Sequence, residues 1–470
     1  MAAGAGLVAG LSQAPFDLPP LGLLGFSAAI WLWYRATSVR EATLLGLCTG
    51  IGYFALVLFW IVEPFFVDVA RHGWMAPFAL VLMSGGMALF WGAAFGAARL
   101  AGGGWAIVPF WALLELARAY IFTGFPWAMP AQALIDGQAG QLLAWVGPHG
   151  ANILLFAVAA LPAFFGRRGG LAVAAVSALS LVSLPAPEPS TGPILRLVQP
   201  NAAQHEKWDP ALTERFLQRK LDYTAAMPRP DLIVWPETSV PYLMEYAEPI
   251  FARIAEAANG TPVVVGVMRM EKGKLYNSLR VVGGGPSAPL YDKHHLVPFG
   301  EYVPFAELAA RMGIFGLATD RLGGYSPGPG PRLIDIEGIG AALPLICYEA
   351  VFPQHARTEG GRPRLLLQIT NDAWFGSFSG PYQHLAQARM RAIEQGLPLA
   401  RAANTGVSAL IDGRGRIRGA IPLNEAGYVD LPLPDVRPPT LYSRTGDGPY
   451  GVLLFIMCGT VVLRSRRLQR

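Results

Sequence analysis

Three residues of this chain have the types and order needed for nucleophilic acyl chemistry: Glu237 in VWPETSVP, Lys293 in YDKHHLVPFGEYVPF and Cys347 in LPLICYE. A cysteine attacks as its thiolate. It needs an acceptor for the thiol proton and a positive donor where charge develops on the attacked carbonyl. Glu237 follows the apolar run DLIVW, whose burial sets a carboxylate at a strand end. Lys293 lies between Asp292 and the His294–His295 pair, and Glu301 follows eight residues later, past a Pro/Gly turn. Glu349 stands two residues beyond Cys347. Taken singly, each is an ordinary surface or core residue; the order Glu, Lys, Cys is what carries the chemistry. No metal or other cofactor is expected. His294 and His295 are adjacent, and in a strand neighbouring side chains point to opposite faces, which is poor geometry for shared ligation.

The elements that have to position these residues are legible as β-rich runs at 194–200, 231–237, 262–270, 277–283, 343–349 and 364–372, with later strands at 406–412, 415–423 and 427–433. Helical patterns fill the gaps at ALTERFLQRKLDYTAA, EPIFARIAEAANG and QHLAQARMRAIEQG. Strands with intervening helices predict a layered α/β domain with a mixed sheet. Residues 192–442 give that domain about 250 residues, enough for one substantial core. A Pro/Ser-rich linker, 186–191, precedes it. There is no internal repeat, no GxGxxG and no GxxxxGK[ST].

The rest of the chain is written for lipid. Apolar residues make up 53% of the sequence and charged residues 15%, against about 25% charge in a usual soluble domain. Mean hydropathy is +0.36. The basic pI, near 9.1, does not point to nucleic acid, because the arginines sit at the ends of apolar segments and form no stripe. Candidate spans fall at 3–18, 20–34, 43–62, 75–97, 104–121, 140–163 and 169–185, a bundle of about seven helices within 1–185, with a last helix at 449–463. The first two, divided by Asp17 and Pro19-Pro20, read either as separate helices or as one broken re-entrant unit. Arg35, Arg40, Arg99, Arg167, Arg168 and the arginines of the C-terminal tail all fall on one side of an eight-span arrangement, with Arg71 opposing. The positive-inside rule makes that side cytoplasmic and the α/β domain periplasmic. The N-terminus lacks the basic n-region of a cleaved signal peptide. Cys48 and Cys458 are expected as small buried residues. Cys347 is then an unpaired thiol outside the cytoplasm, a risk that calls for a function. Glu115 and Arg118 share a helical face, as a structural ion pair or as part of a headgroup site. Trp127 reads as an interfacial anchor or a bend.

These stretches resemble the nitrilase (carbon-nitrogen hydrolase) superfamily, whose triad is Glu-Lys-Cys, and within it the apolipoprotein N-acyltransferase family. The resemblance rests on VWPET, YDKHHLVPFGEYVP, ICYE, NAAQHEKW, TNDAWFG and RAANTGVSALID, and in the apolar half on APF at 14–16 and FTGFPW at 122–127. It implies an α-β-β-α sandwich held outside the cytoplasmic membrane by helices at both ends. It implies transfer of the sn-1 acyl chain of a phospholipid, usually phosphatidylethanolamine, to the N-terminal amine of the diacylglyceryl-cysteine of an apolipoprotein, through a Cys347 thioester. Cys347 is then the nucleophile, Glu237 the general base and Lys293 the oxyanion stabiliser. Glu301 resembles the family's additional active-site glutamate, and Glu349 belongs to the same cluster. Tyr348 and Trp208 read as active-site walls or as packing residues. Nothing in the sequence demands more than a monomer.

Two apolar loops complete the reading. Residues 305–328, rich in glycine and large apolar side chains, form either a buried amphipathic helix or a lid that dips into the outer leaflet. Trp374, Phe375 and Phe378 either rim a lipid path or cap the sheet. A membrane-tethered amidase with the same triad is the rival reading, but a tether needs one span and has no use for Glu115 or FTGFPW. A transporter or receptor with a binding-only outer domain leaves the Glu-Lys-Cys order to chance.

Overall fold

Short runs of Leu, Ile and Val without polar alternation are the pattern of strands covered on both faces. In the computed structural model, which describes residues 1–186, 189–283, 288–304, 324–358 and 360–468, such runs form two six-stranded sheets. The first contains β1 (Ile194–Gln199), β2 (Leu232–Val234), β3 (Val263–Glu271), β4 (Lys274–Val282), β5 (Leu290–Asp292) and β12 (Gly427–Pro432), ordered β12-β1-β2-β3-β4-β5. The second contains β6 (Ile334–Ile336), β7 (Gly340–Ile346), β8 (Leu365–Thr370), β9 (Leu399–Ala403), β10 (Ser408–Ile411) and β11 (Ile417–Ile421), ordered β11-β10-β9-β8-β7-β6. Parallel pairing joins β1, β2 and β3 in one sheet and β7, β8 and β9 in the other; every other pairing is antiparallel. The β3–β4 and β4–β5 reversals turn the chain twice, so β5 again runs with β2.

One apolar core lies between the sheets, built from Leu197, Val234 and Val264 on one side and Ile346, Leu367 and Ala402 on the other. A second core packs the first sheet against α8 (Pro210–Ala225) and α9 (Glu248–Ala258). A third packs the second sheet against α10 (Gly380–Gln395). The layers are therefore helix, sheet, sheet, helix. Local signals set the helix limits. Asp209 accepts from the Ala211 N–H ahead of Pro210 in α8, an acidic cap with proline in the first turn. Asn259 and Gly396 close α9 and α10 in the left-handed conformation, as C-terminal caps do.

The apolar half forms α1 (Ala2–Gly10), α2 (Pro19–Arg35), α3 (Val39–Val57), α4 (Ala76–Leu100), α5 (Ile107–Tyr120), α6 (Leu143–Phe165) and α7 (Arg167–Ser180); α11 (Gly448–Leu468) follows the sheets. Among the described residues, three helical stretches are long and apolar enough to cross a membrane, 69–100, 138–165 and 448–467, or four if the bent pair 39–57 and 59–66 is one span. Span 3–18 is corrected: α1 ends at Gly10, and its nine residues rise only about 14 Å. Residues 11–18 break the chain between α1 and α2. Close approach holds the bundle together, since a Cβ at Gly46 or Gly50 of α3 would strike Trp91 and Ala88 of α4. Small residues are the usual means of helix contact where lipid removes the hydrophobic drive.

Glu115 and Arg118 are a buried ion pair at 2.6 Å. Arg118 also donates to the carbonyls of Phe125 and Trp127, and Trp91 Nε1 donates to Glu115. These contacts use the pair to fold the 122–127 turn, the structural alternative of the two. Trp127 is no interfacial anchor; it is 1% exposed and donates from Nε1 to Gln383 Oε1 at 2.7 Å. Gln383, on α10, donates in turn to the carbonyls of Ala14 and Val57. One amide thereby joins the helix under the second sheet to three points of the apolar half. Cys458 is buried, but Cys48 is exposed on α3. Hydropathy did not separate them, because lipid-facing and core-facing positions are equally apolar.

Candidate active site

Glu237, Lys293 and Cys347 each sit just past a strand. Glu237 follows β2, Lys293 follows β5 and Cys347 follows β7. The C-terminal ends of those strands bring them to one buried cluster. Lys293 Nζ lies 2.8 Å from Glu301 Oε1 and 3.6 Å from Glu237 Oε1. All three side chains are largely buried, and so is the Cys347 thiol at 6% exposure. Asn277 of β4, which the sequence reading did not single out, donates to Glu237 Oε1 at 2.6 Å and to Glu301 Oε1 at 3.3 Å. The other oxygen of Glu301 accepts from the Val297 N–H at 2.9 Å, which closes the Pro/Gly turn and fixes the carboxylate.

The electrostatics are those of a charged cage round a neutral thiol. Burial would lower the Lys293 ammonium, but Glu301, Glu237 and the sulfur together raise it well above the ordinary lysine range. Burial and the Glu237 carboxylate push the Cys347 thiol well above the ordinary cysteine range, against the opposing pull of Lys293 and a Thr370 hydroxyl contact. At neutral pH the sulfur is therefore protonated at rest. Attack requires a base at the moment of reaction, and Glu237 is the nearby carboxylate whose charge it feels most.

Cys347 is not the end of a strand, as LPLICYE predicted. β7 stops at Ile346, and Cys347 opens a short 3-10 turn over Cys347–Val351. Its φ is +51°, a conformation that costs a non-glycine residue about 1–3 kcal/mol and persists only where its surroundings impose it. The surroundings are polar and buried. Gln368 Nε2 donates to the Cys347 carbonyl at 3.4 Å and to His384 Nε2 at 3.2 Å. His384 Nε2 is itself 3.1 Å from that carbonyl. Burial and Arg401 push His384 down, so the ring is neutral with one N–H to give. Asp372 takes it from Nδ1 at 2.9 Å, and Arg401 donates to the other Asp372 oxygen. The TND run therefore supplies the support beneath Cys347.

Glu349 joins the loops instead of facing the sulfur. Its carboxylate accepts from the N–H groups of Ile346, His294 and His295 and from the Tyr291 hydroxyl. The end of β7 is thus tied to the loop that carries Lys293. His355 packs on His294 and His295. Burial, followed by the charges of its histidine neighbours, lowers His355 to about 2. His295 is lowered to about 4, again chiefly by burial. Tyr348 is buried and its hydroxyl is 3.5 Å from the Gly124 carbonyl of the apolar half; Trp208 is 42% exposed. Phe375 packs on Trp60, Trp127 and His384, so it caps the junction between the halves. Residues 305–323 of the expected lid lie outside the described residues.

Sequence comparison follows the same division. The carbon-nitrogen hydrolase family matches residues 195–438. The apolipoprotein N-acyltransferase N-terminal domain matches residues 5–161. The apolipoprotein N-acyltransferase of Brucella melitensis is 37% identical over 477 residues, 92% of this chain and 89% of the relative. That of Caulobacter vibrioides is 38% identical over 504 residues, 98% and 93% of the two chains. Among solved structures, a CN-hydrolase superfamily protein of Xanthomonas campestris is 21% identical with a TM-score of 0.39, covering 55% of this chain and 96% of that one.

The site depends on a close approach that a single methyl group tests. A Cβ at Gly266 of β3 would lie 2.4 Å from the Thr238 nitrogen and 2.7 Å from Glu237 Cα. Gly266→Ala is expected to displace the Glu237 corner and slow the reaction of Cys347 with a carbonyl substrate by about 100-fold, the cost of an ångström-scale misplacement. Acyl-enzyme formation followed by mass spectrometry measures it. A rate equal to wild type would show that the corner does not need its present position.

Proposed function

We propose that this chain, which belongs to the apolipoprotein N-acyltransferase family, transfers its acyl group through a thioester on Cys347. It is a membrane acyltransferase with lipoprotein and phospholipid substrates. The finer reading is a ping-pong reaction. An sn-1 acyl chain leaves a phospholipid, with phosphatidylethanolamine as donor, and ends on the α-amine of a diacylated N-terminal cysteine.

The observation that carries this reading is the sharing of one buried ammonium between two carboxylates, with a protonated thiol in their field. Glu237 takes the thiol proton as Sγ attacks the ester carbon. The oxygen that becomes negative is stabilised by Lys293, a preorganised charge in a site from which water is largely excluded. Collapse of the tetrahedral species expels the glycerol oxygen, which takes the proton back from Glu237, and the lysophospholipid departs. The acceptor amine then attacks the thioester carbon. Glu237 accepts the amine proton, and the leaving thiolate regains a proton from it. The amide and the free thiol are the products, and no external base is consumed. Glu301 holds Lys293 in place, and Glu349 acts one step further out by setting the loop–elbow geometry.

Both substrates are lipids, which supports a site at the bilayer surface. Bringing a long acyl chain into water costs about 0.8 kcal/mol per CH₂. Long apolar stretches on both sides of the sheets in sequence and exposed apolar side chains along α11, Val452, Phe455, Ile456 and Leu463, support anchoring at both ends. The clustering of arginines at one end of the spans supports the inner membrane of a bacterium, with the sheets in the periplasm and the C-terminus inside. A monomer suffices, since the cluster is complete within one chain.

The two half-reactions separate the roles. Glu237→Gln keeps the shape and is expected to slow both thioester formation and amine transfer by roughly 10²–10⁴-fold. Lys293→Met removes the charge and is expected to slow both by roughly 10²–10³-fold. Single-turnover kinetics with phospholipid and a diacylated lipopeptide measure each step; a folded variant with wild-type rates refutes the role given to that residue. For orientation, single cysteines introduced at Ser190 and near the C-terminus of intact cells are expected to react with impermeant reagent from opposite sides. Labelling from the same side excludes the two-ended arrangement.

A further inference from the structure

Two buried carboxylates, Glu237 and Glu301, cannot both stay ionised on the strength of one ammonium without a cost in desolvation. A second ammonium lies behind the first carboxylate. Lys207, in the loop NAAQHEKW, is 8% exposed. Its Nζ donates to the Glu237 carbonyl at 3.2 Å and to the Thr238 hydroxyl, and it lies over the Trp208 ring, 5.4 Å from the centroid. Thr238 has φ +44°, so this bond braces a strained corner. The loop is itself braced, because Gln204 accepts from Asn371, which accepts from Asn404, which donates to the Ala202 carbonyl.

We propose that Lys207 is a positioning residue of the acyl-transfer site, a second ammonium that braces the Glu237–Thr238 corner and offsets the second carboxylate so that Glu237 meets the thiol ionised. The proposal rests on the acyl-transfer reading for the identity of the reacting groups. The charge count supports it. Lys207 and Lys293 balance Glu237 and Glu301 at rest. When the thiol proton passes to Glu237 and negative charge appears on the substrate oxygen, the balance is unchanged. Without Lys207 the buried cluster carries one uncompensated negative charge in both states.

Among the described residues, the other charges around the cluster have partners or known surroundings. Asp372, which faces Cys347 from beyond β8, is offset by Arg401. Glu349 is bonded to His294. The Tyr325 phenol, facing Glu301 and Glu237, is pushed up by burial first and by those carboxylates next. Lys220, on the α8 side of Lys207, bonds the Ser239 carbonyl and is lowered to about 7, first by burial and then by Lys207. His205 and Glu206 face each other on the open side of the loop. Lys207 itself is lowered to about 8 by burial, with Glu237 and Cys347 opposing, so its charge is present at neutral pH and is lost as pH rises through that value.

The test is the pH dependence of Cys347 alkylation by iodoacetamide, read on the Cys347 peptide of the full-length protein in detergent micelles. Acyl-enzyme formation with phospholipid is followed alongside. Removing a nearby positive charge disfavours the ionised carboxylate, so the acid limb of the profile moves to higher pH. Lys207→Met is expected to move it by about one pH unit and to lower the rate on that limb about tenfold. Lys207→Arg keeps the charge and is expected to keep the limb in place. A methionine variant with the wild-type limb, even if slower, overturns the proposal, because a merely structural lysine changes the rate without moving the profile. If the methionine variant does not fold, Lys207→Gln, which also removes the charge, decides by the same criterion: a limb that moves up by about a unit supports the proposal and a limb that stays overturns it. Alkylation needs no lipid. A limb that moves as expected in an enzyme that never forms an acyl adduct would reject the acyl-transfer reading and leave the role of Lys207 standing.

Discussion

The site turns on a buried positive charge shared by two carboxylates. An ammonium and two carboxylates removed from water are stable only when their geometry satisfies nearly every donor and acceptor. That demand reaches far into the fold. Lys293 arrives because β5 runs in the direction of β2, after two reversals. Glu301 turns back because its second oxygen closes the 297–301 loop. Asn277 bridges the carboxylates, and its register in β4, opposite Met268 of β3, follows from an unbroken nine-residue antiparallel pairing. Glu349 couples this loop to the end of β7, so Cys347 and the ammonium cannot move independently.

The same rigidity extends into the apolar half. Arg118, held by Glu115, fixes the carbonyls of Phe125 and Trp127. Trp127 bonds Gln383 and its ring packs on His384, whose imidazole lies against the Cys347 carbonyl. A chain of packed and bonded groups therefore runs from the helical bundle to Cys347. A site at this junction meets a lipid chain without drawing it far from an apolar surface, which a detached domain of the same fold would not achieve.

Much of this was legible in the sequence, for identifiable reasons. Strands buried on both faces announce themselves as apolar runs, so β1 and β3 were found to within one residue at each end, and β2, β7 and β8 to within three. The clustering of Glu237, Lys293 and Cys347 was legible because three uncommon contexts occur in one order. β5 and β6 were missed because three residues carry no period, and β9 because LARAA has no β-branched residue and is a strand only by virtue of its neighbours β8 and β10. The strand reading of Cys347 failed because apolar flanks continue past the point where φ changes sign. Asn277, Lys207 and His384 were missed for a common reason. Each acts through a partner distant in sequence, and a polar residue in a strand, loop or amphipathic helix gives no sign of facing inward. Lys207 and His384 each stand beside an aromatic or glycine-rich motif, and that proximity was the available signal.

The account stands on a covalent acyl-enzyme at Cys347 drawn from a phospholipid. The direct measurement is peptide mass analysis of the purified protein after incubation with a phospholipid whose sn-1 and sn-2 chains differ in length. The expected result is a mass gain equal to the sn-1 acyl group, on the Cys347 peptide alone, removed by hydroxylamine and by a diacylated lipopeptide acceptor. Acyl transfer to the acceptor with no adduct on Cys347, or with an equal yield from Cys347→Ala, would contradict it.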